Sequence, residues 1–200
     1  GATADNSEVR GLVIRDTTAA AIEVVVGADG ITVAGNWIGQ FNSDGSDAGA
    51  GEQNAFGVRT YGDSTTVGGS TVADRNVFAG DSYSVIVRGA SVNAVVSGNY
   101  FGTDISGQSL IDGMNYAIFL QENASSAVIG GATAAHGNVI GGSTFDGIVF
   151  NDEGNDNNVI QNNKIGVSAD GTTNLGSGAS GIYISGGGDD NQILDNHIAG

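Results

Sequence analysis

The chain has no cysteine and no proline among its 200 residues. The first absence removes disulfides, thiol nucleophiles and Cys-ligated zinc together, and leaves the compartment open. Basic residues are almost as scarce: six Lys and Arg stand against 22 Asp and Glu, a formal net charge of -16. Such a surface repels phosphate backbones and anionic membranes, so nucleic acid is not an expected partner. The one lysine is Lys164 and the arginines are Arg10, Arg15, Arg59, Arg75 and Arg88, with no basic patch among interleaved aromatics. No apolar run reaches the ~18 residues a membrane-spanning helix requires, so membrane insertion is not expected. The opening Gly1-Ala2-Thr3-Ala4-Asp5 carries no basic segment followed by an apolar stretch. It reads as a processed end or as a cut from a longer chain.

Glycine, by contrast, is abundant at 35 residues. Collagen would need Gly at every third position with proline, and disorder is hard to reconcile with 40% apolar residues arranged in short strand-like runs. A regular architecture must therefore use the glycine.

Self-similarity identifies that architecture. Gly35-Asn36-Trp37-Ile38-Gly39 returns as Gly98-Asn99-Tyr100-Phe101-Gly102 and as Asn162-Asn163-Lys164-Ile165-Gly166, the second Asn of each phrase 63 and then 64 positions on. Asn76-Val77-Phe78-Ala79-Gly80 returns as Asn138-Val139-Ile140-Gly141-Gly142, 62 positions on. Within each unit a shorter period is marked by Ile22, Val58, Val85, Ile118, Ile148 and Ile182, each opening a run of alternating apolar residues such as Ile148-Val149-Phe150. Alternation is the mark of a strand with one face inward. A second strand follows a polar turn, as in Asn93-Ala94-Val95-Val96-Ser97, and a third carries the Ile-Gly or Asn-Val-Ile phrase.

Three strands per marker make one coil of a three-sided solenoid. Six markers and the opening Val9 to Ile14 give about six to seven coils, a rod ~30 Å long at ~4.8 Å per coil. Val, Ile, Leu and Phe supply a dry interior, while Gly and Asn accept the positive φ of turns between faces. Asn36, Asn99 and Asn163 are expected to stack as a column of amides. Coils of about 31 residues leave room for protruding loops, at Gln40 to Gly51, Thr103 to Gly113 and Val167 to Gly178 on alternate coils. Shorter excursions are expected at Ser70 to Arg75 and Ala132 to Gly137.

The phrases Gly98 to Gly107, Ile129 to Thr133 and Gly137 to Gly142 resemble the right-handed parallel β-helix repeats of large secreted or surface proteins of bacteria, a branch of the pectate-lyase-like superfamily. The resemblance covers roughly residues 9 to 200 and implies an all-β fold, a single-stranded β-solenoid with 1–200 as one domain. It also implies a secreted or cell-surface location. It does not specify an activity, since that superfamily holds lyases, hydrolases, epimerases, tailspikes and adhesins.

Lyases of this fold use calcium held by carboxylates. The nearest arrangement here is Asp152, Glu153 and Asp156 in one turn with Asp189 and Asp190 one coil later, five carboxylates that could hold calcium on one edge of the rod. The bland alternative is a solvated acidic turn, and no cofactor is required. Hydrolases of the fold use paired acids with Asn-Thr-Asp, Gly-His-Gly and Arg-Ile-Lys phrases, all missing, and no catalytic residue is assigned. Phe119 and Tyr183 occupy equivalent outward strand positions with Arg59 at the matching earlier one, a candidate contact face for glycan. Ordinary surface packing is the competing explanation.

The leading expectation is a non-enzymatic structural or adhesive stretch of a bacterial surface or filament-forming protein. Its partners would be further repeats, copies of itself end to end, or extracellular polysaccharide. The alternative is a fragment of a polysaccharide-active enzyme, a lyase, hydrolase or epimerase.

Overall fold

The computed structural model describes residues 4–111, 113–186 and 188–200. Its first coil is β1 (Glu8–Arg10), β2 (Val13–Ile14) and β3 (Ala20–Val24), and its second is β4 (Thr32–Ala34), β5 (Trp37–Gly39) and β6 (Phe56–Thr60). The third and fourth coils are β7 (Thr66–Gly68), β8 (Val77–Ala79), β9 (Tyr83–Val87), then β10 (Val95–Ser97), β11 (Tyr100–Phe101), β12 (Tyr116–Leu120). The fifth and sixth are β13 (Val128–Gly130), β14 (Val139–Ile140), β15 (Asp146–Phe150), then β16 (Val159–Gln161), β17 (Lys164–Ile165), β18 (Ser180–Ile184). A seventh begins with β19 (Gln192–Leu194) and β20 (His197–Ile198).

Every third strand pairs, always parallel, which produces three sheets of seven, seven and six strands running the length of the chain. The fold is a right-handed parallel β-helix. We call the faces the first sheet (β1 to β19), the second (β2 to β20) and the third (β3 to β18).

The six marker residues fall in one register: Ile22 opposite Val58, Val58 opposite Val85, then Ile118, Ile148 and Ile182. Inward columns of Val33, Val67, Val96, Ile129 and Ile160 from the first sheet and Ile38, Phe78, Phe101, Ile140 and Ile165 from the second meet them in the core. Phe78 and Phe101 stack with ring centroids 4.9 Å apart. Parallel strands need both faces covered, and the outward Ile86 and Val149 of the third sheet are indeed buried.

At the corner between the first and second sheets the expected amide column runs through six coils. The side-chain amides of Asn36, Asn76, Asn99, Asn138 and Asn163 each donate to Oδ1 of the next Asn, ending at Asn196, at 2.9 to 3.2 Å. Asn76, Asn138 and Asn196 thus join the three expected members. The sequence separations alternate between about 40 and about 24 residues because long loops occur on alternate coils, which hides the intervening amides from a single-period reading.

The three long loops fold as small hairpins, closed by antiparallel bridges between Phe41 and Asp47, Thr103 and Leu110, and Val167 and Asn174. A carboxylate organises each tip. Asp44 accepts from the backbone and hydroxyl of Ser46, Asp104 from Ser106 and the N–H of Gln108, and Asp170 from Ser168 and Thr172. These bonds hold Asp44 and Asp170 below the usual carboxylate range. Two coils separate successive loops, yet they touch: the Ala169 N–H donates to the Gly107 carbonyl at 2.9 Å. The shorter excursions become 3-10 turns, Val72–Asp74 and Ala134–His136.

Candidate functional site

Arg59, Phe119 and Tyr183 do share one outward column of the third sheet, in the order Glu23, Arg59, Ile86, Phe119, Val149, Tyr183. Their surroundings differ. Arg59 pairs with Glu23 at 2.8 Å and lies over the Phe56 ring, and Phe119 meets Tyr83 and Tyr116 edge-on. Tyr183 is 46% exposed.

Beside this column runs an aromatic stack that the marker analysis did not single out. Phe56, Tyr83, Tyr116 and Phe145 follow one another with centroids 5.7, 4.9 and 5.4 Å apart and near-parallel planes. Its first three members sit two residues before the markers Val58, Val85 and Ile118, so the signal was present in the repeat. Ring faces turned toward one another along the axis leave edges outward, which suits packing between coils better than a pyranose lying flat.

The acidic turns lie at the corner between the third and first sheets. Asp152, Glu153 and Asp156 connect β15 to β16, and Asp189 and Asp190 connect β18 to β19. The two turns stack: Asp156 Oδ1 accepts the Asp189 N–H at 2.8 Å, and the Asn157 N–H donates to the Asp189 carbonyl at 2.9 Å. Asp152 Oδ1 accepts from the Asn151 amide. Among the described residues no three His, Asp or Glu side chains converge as a metal-binding group, so calcium held here would have to draw on main-chain and amide oxygens.

His136 Nδ1 lies 2.8 Å from the Thr133 hydroxyl within its own turn, and His197 sits on β20 opposite Lys164. The most perturbed carboxyl is Asp81, wholly buried between coils. Burial pushes it up to about 7, against the pull of hydrogen bonds from the Asn54 backbone and side chain. With no solvent access, it has no route to a substrate.

The second sheet carries a further arrangement that residue spacing alone could not reveal. Its outward column is Trp37, Val77, Tyr100, Val139 and Lys164; Val77, Tyr100 and Val139 are buried with Phe41 and Ile111 of the hairpin loops, and a groove runs beside them toward the 3-10 turns. A stretch of about 330 Å³ is lined by Arg75, Tyr100, Val139, Asn162, Lys164 and Ala169 among others. The Arg75 guanidinium lies 4.0 Å from the Tyr100 ring centroid.

No family model matches the chain, and no match to it was found among the curated proteins or the solved structures.

Proposed function

We propose that this chain is a non-enzymatic structural or adhesive stretch of an extracellular bacterial surface or filament-forming protein, a stiff spacer that presents loops. The single observation carrying the reading is the unbroken register of all three sheets from the first coil to the last, tied at one corner by a continuous asparagine column. Repeat quality is kept where an enzyme would interrupt it with convergent acids, bases or ligands. The repeat phrases support placing the chain within the pectate-lyase-like superfamily, and with it a secreted or cell-surface location.

Its partners on this reading are further coils, whether of the same chain or of another copy. Ile184, Ile193, Leu194 and Ile198 on the last two coils are all exposed, and another coil would cover them and pair their strand edges. Extracellular polysaccharide is the second class of partner.

Electron microscopy of the native parent protein tests the reading. Rods or filaments that incorporate this stretch are expected. A compact parent that stays monomeric and dispersed at high concentration would count against it.

A further inference from the structure

A parallel ladder repeats its side chains at the strand spacing, and on the third sheet that spacing brings two phenols together. Tyr83 of β9 and Tyr116 of β12 are direct partners in the ladder. Their rings stack with centroids 4.9 Å apart and planes 20° from parallel. Opposed positions on parallel strands send stacked rings the same way, so the hydroxyls stand side by side. Burial raises the Tyr116 phenol, and the neighbouring Tyr83 and Asp146 add to the rise, which accords with two phenol oxygens within electrostatic reach.

The pair is held in place and isolated from other phenols. Phe119 meets both rings edge-on at 5.3 Å, while Phe56 and Phe145 close the stack at either end. The closing rings carry no hydroxyl, so a radical formed on either tyrosine has one phenol to meet. The remaining three of the five tyrosines lie elsewhere: Tyr61 faces Arg88, Tyr100 is buried beneath Arg75, and Tyr183 is exposed. Tyr83 and Tyr116 are both half-buried, which leaves part of each ring within reach of an oxidant.

We infer that Tyr83 and Tyr116 are a cross-linking site, joined as dityrosine by hydrogen peroxide acting through a haem peroxidase, and that the link ties the third coil to the fourth. Each phenol gives up one electron and its hydroxyl proton. The two phenoxyl radicals couple through the ring carbons beside the oxygens, and the hydrogens on those two carbons move to the oxygens, restoring both phenols. One C–C bond forms, and the two hydrogen atoms lost reduce the peroxide to two waters. The half-buried rings swing about their outer edges to make the bond. Because the residues are 33 positions apart, the link closes a long loop of the unfolded chain and stabilises a fold that has no cysteine to do so. This goes beyond the spacer role and does not rest on it.

The test treats the dilute, folded chain with a haem peroxidase and limiting hydrogen peroxide, then measures dityrosine fluorescence, intact mass and cross-linked peptides. The expected product is a monomer lighter by two hydrogen atoms, with Tyr83 joined to Tyr116 and a melting temperature raised by about 5 °C or more. Tyr83→Phe and Tyr116→Phe, which keep the stack, each abolish the monomer's dityrosine, whereas Tyr183→Phe leaves it unchanged. The same treatment in denaturant, where the register is lost, removes the preference for this pair. No dityrosine in the monomer, links between copies through Tyr183 as the main product, undiminished yield in Tyr116→Phe, or a linked monomer that melts no higher than the parent would each overturn the inference.

Discussion

Asn54 gives both its backbone N–H and its side-chain amide to one oxygen of Asp81, at 3.1 and 3.0 Å, inside the core. Thr17 completes the stack by donating to Asn54 Oδ1 at 2.8 Å. The other Asp81 oxygen has no hydrogen-bond partner. A carboxyl thus stands at a level of the core where an amide would serve, and it is the neutral acid that fits there.

The pH dependence follows from this. Asp81 is raised from 3.8 to about 7 in the fold, so the folded state binds more protons than the unfolded chain between those values. Its contribution is most favourable below about 4 and is lost as pH rises through about 7, a change on the order of 4 kcal/mol. Asp81→Asn should remove that slope. We expect the variant to be more stable than the parent at pH 8, by about 1–3 kcal/mol once the cost of its unpaired amide N–H is counted, with the difference shrinking or reversing at pH 4. Denaturant unfolding across pH 4 to 8 checks it, and parallel profiles for the two proteins would refute the assignment.

The asparagine column predicts a gradient of sensitivity. Asn99 donates to Asn138, Val67 and Ser97 and accepts from Asn76, so Asn99→Ala strands buried groups on two neighbouring coils. A loss of about 3–5 kcal/mol is expected. Asn196, on the last coil and half-buried, should cost about 1–2 kcal/mol when changed to Ala. Equal losses at both positions in equilibrium unfolding would mean that the column is not a continuous unit.

Contact between loops rests on a glycine. Gly107 has φ +71°, and a Cβ there would lie 2.6 Å from the Tyr100 ring and 2.9 Å from Ala169. Gly49 has φ +88° with open space around it. Gly49→Ala should therefore cost only the backbone strain, about 1 kcal/mol, whereas Gly107→Ala should cost roughly 2–3 kcal/mol. Thermal unfolding of the two variants side by side separates steric from conformational terms.

The acidic turns predict a modest response to calcium. Asp156 and Asp189 serve as turn acceptors, and among the described residues no three His, Asp or Glu side chains converge on a common point. Thermal unfolding with calcium, magnesium or EDTA should give melting temperatures within about 2 °C of one another at matched ionic strength. A large calcium-specific rise would make Asp152, Glu153, Asp156, Asp189 and Asp190 a metal site after all.

The repeat was legible because strand alternation and turn chemistry recur wherever a coil recurs. Ile22, Val58, Val85, Ile118, Ile148 and Ile182 occupy one column because each must fill the same interior position. Asn36, Asn99 and Asn163 were visible for the same reason, whereas Asn76 and Asn138 were masked by the alternation of hairpin loops with 3-10 turns. The groove was hidden more deeply. Arg75 belongs to a turn and Lys164 to a strand 89 positions later, and only the stacking of coils puts them along one furrow. Asp81 reads in sequence like any acid after a glycine. Its inward position follows from standing where the previous coil has Asn54.

The central claim, that the rod is a structural element and not a catalyst, is tested most directly by assaying the intact parent protein for new reducing ends and unsaturated products on pectins, alginates and other acidic and neutral glycans. The account predicts no turnover on any of them. Turnover abolished by Asp152→Ala or Asp189→Ala, in variants that keep the parent's melting temperature, would contradict it and identify the acidic turns as an active site.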